Sequence, residues 1–146
     1  MAITQALANS FKKELLEAEH NFKQTGGDKF KIALYTSSAT LNSATTSFTT
    51  TNEVANSGQY TSGGGALSNL GTSIASGVAI VDYADRSFTG VTLTARGALI
   101  YNTSATVANA AVAALDFGAD KTATAGVFTI QFPAATSTAA ILRISG

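Results

Sequence analysis

Few residues in this chain could carry chemistry. His20 is the only histidine and there is no cysteine. A Ser-His-Asp or Cys-His system would have to run through that one imidazole. Its neighbours Glu19, Asn21 and Lys23 put it near the end of an amphipathic segment, with no signal of a pocket. Glu17-x-x-His20 has the spacing of a di-iron helix, but such a site needs a second pair and further glutamates. The pair therefore reads as a solvated helix face. Asp116-Phe117-Gly118 matches the magnesium-holding tripeptide of protein kinases. The HRD loop, the VAIK lysine and the phosphate loop that must accompany it are missing, so it reads as a strand ending in a glycine turn. Glycines 63–65 are not followed by Lys and Ser/Thr, which excludes a P-loop.

Asp82, Asp85 and Asp116 supply carboxylates from which a glycosidase pair could be drawn. Asp82-Tyr83-Ala84-Asp85 reads more simply as a turn, with Arg86 pairing locally. Asn102-Thr103-Ser104 fits the glycosylation pattern and reads as an ordinary loop. Arg96 interrupts an apolar β stretch just before Gly97. It either snorkels at a strand end or pairs with an acid across an interface. No catalytic, cofactor-binding or metal-ligating residue emerges, and no cofactor is expected.

The elements that would position these residues are mostly strands. Residues 127–132 alternate: Phe128, Ile130 and Phe132 on one face, Val127, Thr129 and Gln131 on the other. Period two bounded by Gly126 and Pro133 is a half-buried strand. Residues 97–101 and 111–117 are continuous apolar runs of strand length, as expected of strands covered on both faces. The stretch 91–132 thus reads as an antiparallel core of consecutive strands. Residues 30–36 alternate as a first strand, residues 78–88 resume the pattern, Gly90 marks a bulge, and residues 139–144 close the sheet.

Residues 3–22 read as the one convincing helix. Ile3, Leu7, Phe11 and Leu15 fall four apart, Ala18 and Phe22 continue the seam, and Lys13 and Glu17 form an i,i+4 pair. This helix covers an open face of the β core or packs on a neighbouring subunit. Residues 37–76 hold one charge, Glu53, among Ser, Thr, Asn, Gly and Ala. They read as an extended excursion of loop and short strand, anchored by Leu41, Phe48, Val54, Tyr60, Leu67, Leu70 and Ile74. The expected fold class is mainly β: an antiparallel β-sandwich or partly open barrel with one N-terminal amphipathic α-helix. Residues 1–146 are expected to form a single domain, with a helical arm (1–25), the excursion (37–76) and the β core (78–146).

With 146 residues the chain can bury a core without staples. Nine basic residues balance nine acidic ones, and charged residues are only 12% of the chain. That is about half the usual share and argues against a nucleic-acid binder, which needs clustered Lys and Arg. Near-zero net charge favours association. The uncharged stretches are broken by Thr, Ser, Asn and Gly, so no transmembrane helix is expected, and the N-terminus lacks the order of a signal peptide.

The order FKKELLE…HNF, FKIALYTSSATL, TTTNEV, TARGALIYN, AVAALDFGADKT, FTIQFP and AILRI resembles a family of small virion proteins of tailed bacteriophages. The similarity spans essentially the whole chain. It implies a non-enzymatic structural component, best matched by a capsid decoration, or cement, protein that sits on the outer shell across capsomer junctions. The implied partners are the major capsid protein and the chain itself, as a homo-oligomer and possibly a trimer, with neither nucleic acid nor membrane. The implied location is the virion surface, after synthesis in the bacterial cytoplasm. Leu7, Phe11, Leu15, Phe48, Tyr60, Arg86 and Arg96 are the candidate assembly contacts. The rival reading is a tail or head-fibre component that binds the host surface or glycans, with Tyr35, Tyr60, Tyr83 or Tyr101 as stacking platforms.

Overall fold

In the computed structural model, which describes residues 2–146, the most extended element is a hairpin. Its strands are β6 (Arg86–Asn102) and β7 (Ala110–Ile130). Val, Ile, Leu, Phe and Thr occur in both, which suits a pleated surface. They pair antiparallel from Asn102↔Ala110 at the turn to Arg86↔Ile130 at the open end. The expected separate strands at 111–117 and 127–132 are therefore largely one continuous strand. Between them, Thr94↔Thr122 keeps the ribbon paired, and the two hydroxyls bond at 2.8 Å. One register shift falls between Phe88 and Val91, where Gly90 takes a positive φ of 65°, as its type allows.

The other elements in chain order are β1 (Ala6–Leu7), α1 (Asn9–Leu16), β2 (Phe30–Tyr35), β3 (Gly65–Ala66), β4 (Asn69–Ala75), β5 (Val78–Tyr83) and β8 (Leu142–Ile144). One sheet runs β1-β7-β6-β2-β3 and a second runs β4-β5-β8. Neighbouring strands in both sheets are antiparallel. With 48% strand and 6% helix, and no closed barrel, the protein is a mainly β, sandwich-like fold of two sheets.

The core lies where β2 meets the turn half of the hairpin. Ile32, Leu34, Leu99, Ile100, Ala111 and Val112 are buried, some from each face of the sheet. Burying one large aliphatic side chain stabilises the fold by about 1.5–3 kcal/mol. One face is covered by the excursion: Phe48 stacks on Tyr101 with ring centroids 4.8 Å apart, and the Tyr35 hydroxyl donates to Thr49 O. The other face is joined to the small sheet through Phe22, Phe30, Tyr83 and Phe132, whose rings follow at 4.6, 6.0 and 5.6 Å.

Several boundaries differ from those the sequence pattern predicts. The helix covers Asn9–Leu16, not 3–22. Ile3 bridges Leu41, and Ala6 and Leu7 pair with Ala114 and Ala113, so the first half of the apolar seam is engaged through β pairing. Ala18 at φ 61° then breaks the helical path. An eight-residue helix with no side-chain N-cap draws its stability from packing rather than propensity. Residues 78–88 split into β5 and the start of β6, and the closing strand shrinks to Leu142–Ile144. In the excursion, Leu41, Val54 and Tyr60 are buried anchors as expected, but Leu70 and Ile74 lie exposed on β4.

Candidate functional site

Beneath α1 four polar side chains converge. Glu14 comes from the second half of the helix, and His20 follows the reversal at Ala18. Asp28 precedes β2, and Asn102 ends β6. The Asn102 Oδ1 accepts the backbone N–H groups of Ser104 and Ala105 at 2.8 and 3.2 Å, which fixes the orientation of the amide. Its Nδ2 then donates to Asp28 Oδ2 at 2.7 Å and to His20 Nδ1 at 2.9 Å. A donor facing Nδ1 requires a lone pair there. The imidazole proton therefore sits on Nε2, which donates to Glu14 Oε1 at 2.9 Å. Both ring nitrogens are thus engaged, and the ring packs edge-on to Phe11 at 4.8 Å.

The sequence pattern places His20 on a solvated face; instead its side chain is 0% exposed. The helix ends before it, so the chain can turn the ring inward between Phe11 and Phe22. Sealed in this way, the imidazole presents no reacting atom to a substrate. The cluster fixes α1 to the hairpin turn. Among the described residues no group of His, Asp and Glu could hold a metal ion.

Glu53 forms a second hub. The lone charge of the excursion accepts the Tyr60 hydroxyl at 2.7 Å, the Ser62 hydroxyl at 2.8 Å and the Gly63 N–H at 2.7 Å. The Tyr60 oxygen in turn accepts the Leu34 N–H at 2.8 Å. Gly63, at φ 97°, offers its carbonyl to the Tyr101 hydroxyl at 2.5 Å. A single carboxylate thus orders a segment with little apolar area of its own. Burial raises the Tyr101 hydroxyl to about 12, with Glu53 adding to the effect, and burial likewise pushes Tyr35, Tyr60 and Tyr83 up. All four tyrosines are buried, so none is available as a stacking platform for a glycan.

The candidate assembly residues separate into groups. Leu7, Phe11 and Leu15 line one apolar groove of about 520 Å3 between α1 and the small sheet, with Leu16, Ile80, Leu142 and Ile144. Phe48 is half-buried against Tyr101, and Tyr60 is wholly buried, so it supports the excursion from beneath. Arg86 makes no local pair with Asp85, which instead accepts the Phe132 N–H at 2.9 Å. The Arg86 guanidinium lies 4.7 Å over the Phe88 ring and against Gly65, where a Cβ would approach it to 2.5 Å. Arg96 pairs with Asp116 across β6 and β7 at 3.3 Å, within the chain. Nothing in the sequence points to the Glu14–His20–Asn102–Asp28 network, because its members lie as far as 82 residues apart from a bonded partner.

Among the described residues no helix is long and apolar enough to cross a membrane. Comparison with family models, with curated proteins and with solved structures finds no match.

Proposed function

We propose that this chain is a non-enzymatic structural protein of a bacteriophage particle, a decoration protein that binds the outer capsid shell and stabilises capsomer junctions. The observation that carries the reading is the character of the exterior. Leu16, Leu70, Ile74, Val107, Val127 and Ile144 are exposed on a protein whose charged residues are only 12% of the chain. Surface of that kind, apolar in places and short of charge, suits a protein covered by neighbours. The hydroxyl-rich hairpin face adds a neutral, hydrogen-bonding area, with Ser87–Thr129 and Thr94–Thr122 paired at 2.8 Å. The resemblance of the whole chain to small phage virion proteins supports the same reading. Many repeated contacts of modest strength, multiplied by shell symmetry, would suffice.

The test is the copy number in purified virions, by quantitative mass spectrometry against the major capsid protein. A ratio near one to one, or a simple fraction set by the shell's symmetry axes, is expected. A dozen copies or fewer would move the chain to the tail, portal or fibre. Absence from particles would end the structural reading.

A further inference from the structure

We infer that the groove beside α1 is a two-fold self-association site, filled by the end of the same helix from a second copy of this chain. The groove has apolar walls from the arm (Leu7, Phe11, Leu15) and from the small sheet (Val81, Leu142, Ile144). Two cations, Lys12 and Arg143, stand among its lining residues, and no acidic side chain does. Its volume of about 520 Å3 is ample for one or two side chains. The occupant it fits is an apolar knob followed by a carboxylate.

This chain carries that pair on the rim of the groove itself. Leu16 is 92% exposed, with Glu17 next in sequence at the end of α1. A two-fold axis beside the helix would insert each Leu16 into the other copy's groove. Each Glu17 would then meet the other's Lys12 and Arg143. An isologous contact is self-complementary in this sense: residue i meets j, and j meets i. Glu17 now bonds Lys13 at 2.9 Å, but the Lys13 side chain is 75% and the Glu17 side chain 48% exposed, and a surface pair of this kind is readily exchanged. The association also covers Ile144, 61% exposed on the opposite wall. The dimer does not depend on the virion reading and would form with or without a capsid.

The experiment is analytical ultracentrifugation of the purified chain over a wide concentration range. A monomer–dimer equilibrium is expected. Leu16→Glu should weaken it at least about tenfold, and Glu17→Lys should weaken it several-fold, with the Glu17 effect shrinking at high salt. Leu16 is on the surface, so the variant keeps its fold, checked by circular dichroism. Val127→Ser, which removes an exposed apolar side chain outside the groove, should leave the equilibrium unchanged. A wild-type chain that stays monomeric, or forms trimers, would overturn the two-fold site. So would a dimer indifferent to Leu16→Glu, or one abolished by Val127→Ser.

Discussion

The two sides of α1 hold opposite kinds of surface. On the inner side, Glu14 reaches His20 and, through it, Asn102; these three are buried, and Asp28 closes the cluster at its half-buried edge. On the outer side, Leu15 and Leu16 face a groove, and apolar groups are left open to it. An eight-residue helix without a side-chain cap is held by the polar side, not by an apolar seam alone. Buried polar groups are costly unless donors and acceptors are met, and here both imidazole nitrogens and the Asn102 amide are met. The apolar side contributes little while it faces water. One side of the helix therefore makes the fold unique, and the other is available for contact with another chain.

The inner side should be the more fragile. Asn102→Leu removes partners from His20, Asp28, Ser104 and Ala105 at once. Leaving two or more buried groups unsatisfied costs about 3–5 kcal/mol in total. Urea unfolding should register that loss, and hydrogen exchange should show α1 and residues 103–109 opening first. A loss under about 1 kcal/mol would mean the network is incidental to the fold. Nitrogen-15 shifts of His20 provide a second check, since the geometry demands the proton on Nε2; the Nδ1–H tautomer would contradict the amide orientation.

Next in size is the Glu53 hub, which stands between the two extremes. Tyr60→Phe keeps the buried ring but leaves Glu53 and the Leu34 N–H short of a partner, at a cost of about 1–3 kcal/mol. Exchange protection should fall within residues 53–65 and hold in β6 and β7. Loss of protection throughout would show that the excursion belongs to the same cooperative unit as the core. Ile74→Thr, on the open face of β4, should shift stability by no more than about 0.5 kcal/mol in the same urea experiment.

The same contrast explains what can be read in advance. Period-two patterning is a local signal, so β2 stands where the alternation predicts it, and the bulge expected at Gly90 is present in β6. The Lys13–Glu17 pair is equally local and is present. The helix start is obscured because Ile3 and Leu7 satisfy two geometries. Four-residue spacing suits a helix, but their partners Leu41 and Ala113 draw them into β pairing. The single strand β7 is obscured because residues 118–126 look like a break, and pairing of Lys121, Thr122, Ala123 and Gly126 with β6 carries the strand through it. The groove residues of the arm are legible as an apolar seam. The other wall is not, because it comes from β5 and β8, far along the chain. The sequence leaves Arg96 between snorkelling and pairing across an interface; its partner is instead Asp116 of the same chain, which the hairpin register brings opposite Gly97.

A half-buried surface carboxylate supplies the limit against which the sealed one is judged. Asp116 accepts the Gly118 N–H at 2.9 Å and the Arg96 guanidinium at 3.3 Å. The backbone donor chiefly, and Arg96 second, hold its carboxyl below the ordinary value of 3.8. A group depressed in the folded state contributes stability above its unfolded pKa, and that contribution is lost as pH falls through the folded one. Any contribution should therefore be present at neutral pH and fade only below about pH 4. Because the group lies at the surface, partly open to solvent, its effect on stability should be smaller than that of Tyr60→Phe and no larger than that of Ile74→Thr. Carbon-13 titration of Asp116 should give a midpoint below 3.8 that rises only part of the way back in Arg96→Gln, because the Gly118 N–H stays in place. A full return to the ordinary value would make Arg96, not the backbone, the chief partner. A midpoint that does not move at all would make the ion pair incidental. The sealed network would then be the place where removing a carboxylate's side-chain partner is felt, and Asp116 would be held by the Gly118 N–H.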